Sequence, residues 1–120
     1  MRWIMLSLLL IAASYPVALA VSPSADYEKL QLSDKFYSEG AYYADFNRDG
    51  KIDVIAGPYW YAGPDFQQRH EVRQPKEFDL KSYSDNFLTY TGDFNGDGWH
   101  DILYVPWPGE DASWYENPAG

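Results

Sequence analysis

One ten-residue segment occurs twice in this chain, and the repetition limits its possible folds more than any other feature. Asp45-Phe-Asn-Arg-Asp-Gly-Lys-Ile-Asp-Val54 aligns with Asp93-Phe-Asn-Gly-Asp-Gly-Trp-His-Asp-Ile102 at an offset of 48 residues. Further along, Trp60-Tyr61 resembles Trp114-Tyr115 at an offset of 54. The second unit therefore carries six extra residues between its aspartate segment and its aromatic pair, the difference between 54 and 48. Such a spacing is typical of a surface insertion in a repeat.

The runs that flank each segment favour β-strands, because they are rich in aromatic and β-branched residues and are separated by Gly and Pro. After the first twenty residues, no segment shows a helical periodicity. The predicted strands cover 41–44, 52–56 and 60–61 in the first unit, and 87–91, 102–105 and 114–115 in the second.

A period near 48 residues with several short strands per unit is typical of a β-propeller blade, which is a four-stranded antiparallel sheet. We therefore predict an all-β chain of about two blades. A lead-in strand or linker at 21–36 precedes a first repeat at 37–84 and an incomplete second repeat at 85–120.

Both segments have the form D-x-N-x-D-G-x-x-D, which places oxygen donors at alternate positions of a tight loop. The glycine at the sixth position permits a positive φ, so that the backbone can turn around one point, and the next residue can offer its carbonyl. Such an oxygen-only set suits Ca²⁺ better than Mg²⁺, which needs a stricter octahedron and keeps its waters. The predicted ligands of two Ca²⁺ sites are Asp45, Asn47, Asp49, Lys51 and Asp53 in the first loop, and Asp93, Asn95, Asp97, Trp99 and Asp101 in the second.

Two other interpretations of these loops compete with that prediction. An EF-hand needs flanking helices and a Glu at the twelfth loop position, where this chain has Ala56 or Tyr104. Asp/Asn/Gly turns between strands, without any metal, are the second alternative. Two copies in one register favour calcium, as does the mutual repulsion of three close carboxylates that lack a cation.

The repeated segment resembles the calcium loop of FG-GAP repeats, also called VCBS repeats, which form integrin-α-type propellers and occur in secreted bacterial proteins. The resemblance covers about 37–118, and the form that ends in Trp-Tyr-Glu-Asn-Pro is the closer comparison. The Phe-Gly…Gly-Ala-Pro signature survives only weakly, at Ala56-Gly57-Pro58. The resemblance implies that each loop lies between two strands of a blade and binds Ca²⁺ through Asp45, Asn47, Asp49 and Asp53, and through Asp93, Asn95, Asp97 and Asp101.

Residues 1–20 have the pattern of a secretory signal peptide. Arg2 precedes an apolar run, Pro16 ends it, and Ala18-Leu19-Ala20 supplies small residues, so we predict cleavage after Ala20. An uncleaved anchor is the alternative, although the run is shorter than the roughly 20 residues that span a bilayer. The prediction is a secreted or periplasmic protein, with no part in a membrane after cleavage.

Composition excludes several classes of function. The chain has no cysteine, so it has neither disulfides nor a cysteine nucleophile. Its net charge of −9 argues against a nucleic-acid partner. No catalytic motif is present; we expect His70 to be a solvated strand residue, and His100 to pack in its loop or bond a ligand carboxylate.

Two repeats cannot close a propeller of roughly four to eight blades, so we expect a fragment of a longer protein, or closure by oligomerisation. The predicted function is a secreted calcium-binding module for binding or scaffolding, with protein or carbohydrate as its partner. The alternative is the N-terminal propeller part of a secreted carbohydrate-active enzyme whose catalytic residues lie outside this chain. The surplus aromatic residues form either core packing or a stacking platform for a sugar or protein: Tyr59, Trp60, Tyr61, Trp107, Trp114 and Tyr115.

Overall fold

A computed structural model describes residues 27–118, which form two antiparallel sheets and no helix. The predicted signal peptide at 1–20 and the start of the lead-in lie outside the described residues. Nothing in 27–118 is a helix long and apolar enough to cross a membrane. The all-β prediction is confirmed.

The two sheets follow the two repeats. The first holds four strands in chain order: β1 (Ala41–Ala44), β2 (Asp53–Ala56), β3 (Tyr59–Tyr61) and β4 (Arg69–Glu71). The second holds β5 (Leu88–Gly92), β6 (Asp101–Val105) and β7 (Ser113–Tyr115). The second sheet thus has three strands within 27–118, where the repeat pattern predicted a blade of four.

Each aspartate loop connects the first two strands of its sheet. Ala44 pairs with Asp53 at the end of the β1–β2 ladder, and Gly92 pairs with Asp101 at the end of the β5–β6 ladder. These two pairs are equivalent at the offset of 48, so the two hairpins have the same register. The loops at 45–52 and 93–100 therefore emerge from their sheets in the same way.

The extra residues of the second repeat lie between β6 and β7. Gly57-Pro58 connects β2 to β3, whereas seven residues at 106–112 connect β6 to β7. A longer irregular segment, 72–87, joins β4 to β5. These connections are where the two units differ most.

The hydrophobic core lies between the sheets. Ile55 of β2 is fully buried and clusters with Ile102 and Tyr104 of β6. The repeat equivalent of Ile55, however, is Leu103, and adjacent strand residues point to opposite faces. The two sheets therefore pack through non-equivalent faces, which is a head-to-tail contact. The face of the second sheet that carries Leu103 points away from the first sheet.

The first strands of the two sheets, β1 and β5, lie side by side. The Thr91 hydroxyl donates a 3.0 Å hydrogen bond to the Tyr43 carbonyl, and the rings of Tyr42 and Tyr90 have centroids 5.9 Å apart. Both pairs are related by the offset of 48, so equivalent residues of the two repeats contact each other. The contact between the repeats along β1 and β5 is thus one between equivalent positions.

Candidate metal centre

The two aspartate loops adopt the left-handed backbone conformation at the same two positions. Their fourth positions have positive φ, 57° at Arg48 and 82° at Gly96, and so do their sixth positions, 80° at Gly50 and 88° at Gly98. The sixth-position glycines thus adopt the left-handed conformation that the sequence predicted. The fourth position was not expected to do so, because Arg48 gives no such signal; a non-glycine residue rarely adopts a positive φ.

The first acid of each loop anchors the turn. Asp45 accepts backbone N–H groups from Asp49 at 3.1 Å and from Gly50 at 2.9 Å. Asp93 anchors the second loop in a similar way: Gly98, the equivalent of Gly50, donates at 2.8 Å, whereas the other donor, at 2.7 Å, is Gly96, which is equivalent to Arg48. Each carboxylate therefore lies inside the curve of its own loop.

The third and fifth positions of both loops form Asx turns, in which a side-chain oxygen accepts the backbone N–H two residues later. The donor–acceptor distances lie between 2.7 and 3.0 Å, for Asp49 to Asn47, Lys51 to Asp49, Asp97 to Asn95 and Trp99 to Asp97. The bond from the Trp99 N–H, followed by that from the Asn95 amide, lowers the pKa of Asp97. These bonds favour the ionised carboxylate.

The ninth-position acids differ from the rest because they are fully buried. In each, Oδ2 accepts the backbone N–H of the loop's second residue and Oδ1 accepts an N–H from beyond the third strand of the sheet. The donors are Phe46 and Gly63 at 2.9 Å each for Asp53, and Phe94 at 3.1 Å and Asn117 at 2.9 Å for Asp101. Gly63 and Asn117 stand 54 residues apart, as do the Trp-Tyr pairs. In both repeats this acid therefore connects the start of its loop to the chain that follows the third strand, a structural role that the sequence interpretation missed.

The oxygens of each loop are held together by these N–H groups. Within 27–118, no three His, Cys, Asp or Glu side chains converge as a metal-binding group. A cation at either loop would therefore rely on amide and carbonyl oxygens as well as on carboxylates. Since a carboxylate oxygen has two lone pairs and one N–H occupies one of them, the donor set retains the capacity to bind a hard cation.

The two loops contact each other through Arg48. Its guanidinium donates to the Gly98 carbonyl and lies 4.2 Å from the centroid of the Trp99 ring. Arg48 also contributes, as a smaller cause, to the lowered pKa of Asp97. Within its own loop, Lys51 is the nearest cation to Asp49, at 3.8 Å.

Asn117 makes a second connection between the repeats. Its side-chain amide donates to the Phe46 carbonyl at 3.0 Å and to the His100 carbonyl at 3.1 Å. His100 is exposed, and His70 in β4 is exposed and stacks on Trp60 with ring centroids 4.0 Å apart. His70 is thus a solvated strand residue, as predicted.

Comparisons of the chain with protein-family models, with curated proteins and with solved structures gave no match. The duplicated hairpins, their loops and the interface between the sheets are therefore the observations that bear on function.

Proposed function

We propose that this chain is a secreted calcium-binding repeat module of the FG-GAP/VCBS type, and that its two sheets are blades of a β-propeller used for binding or as a scaffold. Calcium serves mainly to stabilise the two loops. The observation that carries the proposal is the agreement between the loops, which share their positive-φ positions, their turn-forming bonds and their buried closing acids.

The chemistry of the loops supports a cation. Each loop places three acids within nine residues, and Lys51 and Arg48 are the cations beside them. Bonds from backbone N–H groups orient the carboxylates in advance, which lowers the cost of ordering them around an ion. The residues that would hold Ca²⁺ are those that the sequence predicts: Asp45, Asn47, Asp49, Lys51 and Asp53, and Asp93, Asn95, Asp97, Trp99 and Asp101.

The packing of the sheets supports the propeller arrangement. Ile55 packs on the face of the second sheet that carries Ile102. The opposite face, which carries Leu103, is equivalent to the packed face of the first sheet and is therefore available to pack against a further unit. Head-to-tail contacts of this kind generate rings when the rotation closes. The side-by-side placement of β1 and β5 supports an axis on that side of the sheets.

Calcium binding is tested by thermal unfolding in Ca²⁺ and in EDTA. Ligand at about 100 times its Kd stabilises a fold by about 2.7 kcal/mol, and each kcal/mol shifts the Tm of a domain this size by roughly 4–8 °C. We therefore expect a rise in Tm above about 10 °C in saturating Ca²⁺. Terbium luminescence sensitised by tryptophan adds a direct measurement of ion binding, since Trp99 lies beside both loops.

The variants Asp49→Ala and Asp97→Ala should each reduce the calcium-dependent rise in Tm, and each should weaken the tryptophan-sensitised terbium signal. Asp79→Ala is the matched control, since Asp79 accepts the Lys81 N–H at 2.8 Å in an Asx turn outside both loops. If Tm is the same in Ca²⁺ and EDTA, and both loop variants behave like Asp79→Ala, the loops are metal-free turns and the proposal is wrong.

A further inference from the structure

A cavity of about 400 Å³ lies away from the loops, between the segment that joins the sheets and the long β6–β7 connection. Its walls include Arg73, Tyr83 and Asp85 from the first segment, and Trp107 and Glu110 from the second. The β6–β7 connection holds the extra residues of the second repeat. The cavity is therefore built by the irregular parts of the chain, where binding residues are commonly found.

Exposed aromatic rings form one side of this cavity. The Trp107 ring lies 4.8 Å from that of Tyr83 and 4.6 Å from that of Phe87, measured between centroids. Trp107 and Tyr83 nevertheless remain 47% and 63% exposed. A tight turn, in which the Glu110 N–H donates to the Trp107 carbonyl at 3.0 Å, keeps the Glu110 backbone close to that of Trp107.

The charges around the cavity leave a negative surplus. Arg73 is paired through Nη2 with Asp85 at 2.7 Å and its guanidinium lies 4.6 Å from the centroid of the Tyr104 ring, so its charge faces an opposite charge within the protein, although its buried Nε has no hydrogen-bond partner in 27–118. Glu110 and Asp111 also line the cavity, and neither forms an ion pair with any residue in 27–118. Ionised carboxylates only accept hydrogen bonds, so this rim favours a ligand that is positively charged.

The chain places its few cations against aromatic rings, and two of these contacts involve rings that line this cavity, Tyr104 and Phe78. Contacts of this kind occur roughly once per 70–80 residues in proteins, and the described residues contain four: Arg48 with Trp99, Arg69 with Tyr59, Arg73 with Tyr104 and Lys76 with Phe78. Among these contacts, none involves Trp107 or Tyr83. The exposed rings beside the two uncompensated carboxylates therefore lack a cation supplied by the described part of the chain.

We propose that this cavity binds an organic cation that carries an alkylated ammonium group. The rings of Trp107 and Tyr83 contact its methyl groups by cation–π attraction, and the carboxylates of Glu110 and Asp111 supply the opposite charge. None of these residues belongs to the aspartate loops. The proposal therefore stands independently of calcium binding, and either can fail without the other.

Choline is the probe for the test, with its uncharged analogue dimethylbutanol, in which carbon replaces the nitrogen, as the matched ligand. The indole N–H signal of Trp107, assigned with Trp107→Phe, is followed by NMR as each compound is added. We expect a saturable shift with choline that weakens at higher salt. The affinity for dimethylbutanol should be at least about tenfold lower, since a cation–π contact in a desolvated site contributes about that factor.

Variants separate the two kinds of contact. Trp107→Ala lacks the reporting indole, so its titration is followed by calorimetry, and it should show no choline binding. Glu110→Gln with Asp111→Asn should weaken choline binding about tenfold while leaving the affinity for dimethylbutanol unchanged. Trp114→Ala is the control, because Trp114 is similarly exposed, at 51%, and does not line the cavity. The Tm of each variant establishes that it is folded.

Three results would overturn the proposal. Equal affinities for choline and dimethylbutanol would mean that the cavity recognises shape rather than charge. A saturable response to a neutral disaccharide, with none to choline, would assign the cavity to a sugar. The absence of any saturable shift in the folded wild-type protein would mean that the rings serve only for packing.

Discussion

The phenol hydroxyl of Tyr104 donates a 2.6 Å hydrogen bond to the backbone carbonyl of Gly57, across the interface between the two sheets. Tyr104 is 1% exposed, and its ring also contacts Tyr115 edge-on and the guanidinium of Arg73. The repeat equivalent of Tyr104 is Ala56, so this bond has no counterpart within the first sheet. It is specific to the contact between the two units.

Removal of this hydroxyl should weaken the interface. Tyr104→Phe leaves the buried Gly57 carbonyl without its donor, and an unsatisfied buried polar group costs about 1–3 kcal/mol. Chemical denaturation should show a loss of stability of that size. Tyr27→Phe is the matched control, since Tyr27 is 96% exposed and should unfold like the wild type. Equal stability of the two variants would contradict the assigned role of the bond.

Alkaline pH should destabilise the fold. Burial raises the pKa of Tyr104, and also those of Tyr59 and Tyr61, above the ordinary value of 10.0. Above pH 10 the unfolded chain releases these protons while the native chain keeps them, so stability falls as pH rises. We expect the contribution of these tyrosines to the free energy of unfolding to be constant below pH 10 and to fall above it. Tyr104→Phe should make this decline shallower. A decline of unchanged slope in that variant would argue against the raised pKa of Tyr104.

The buried closing acids should matter even without calcium. Asp53→Asn and Asp101→Asn each turn an acceptor oxygen into an amide donor that faces a backbone N–H, which we expect to cost about 1–3 kcal/mol each. Denaturation in EDTA measures this loss apart from any effect of a metal. Asp65→Asn is the control, because Asp65 accepts a single exposed N–H, that of Gln67 at 3.1 Å. Losses of stability no greater than that of Asp65→Asn would show that the bonds to the buried closing acids contribute little to stability.

The close approach of β1 and β5 depends on Gly40. A Cβ at this position would lie 2.8 Å from the backbone carbon of Leu88, so Gly40→Ala should force the strands apart and cost about 1–3 kcal/mol. Gly92→Ala is the matched control. The atoms nearest to its Cβ would be those of the half-exposed Phe94 ring, at 3.1 Å and beyond, which can shift, and its repeat equivalent, Ala44, is already an alanine. If the two variants are equally stable in denaturant, the strands do not depend on this contact.

The hairpins were predictable because their determinants are local. The bounds of all six predicted strands agree with the structure to within one residue, because aromatic and β-branched runs between Gly and Pro mark them locally. The left-handed conformation at Gly50 and Gly98 follows from the residue type and its place in the loop. The strand β4, Arg69–Glu71, consists of polar residues and has no sequence pattern that predicts a strand. It forms because it pairs with β3.

The amino-acid sequence by itself thus determined the duplicated β-hairpins and the oxygen-rich loops, since strand pairing and turn geometry depend on neighbours along the chain. Only the tertiary structure decided that Ile55 packs on the face opposite to that of Leu103, that Arg48 reaches the carbonyl of Gly98, and that the insertion after β6 forms a cavity with Tyr83. These contacts join residues far apart in sequence. They depend on how the two sheets pack, which no local pattern encodes.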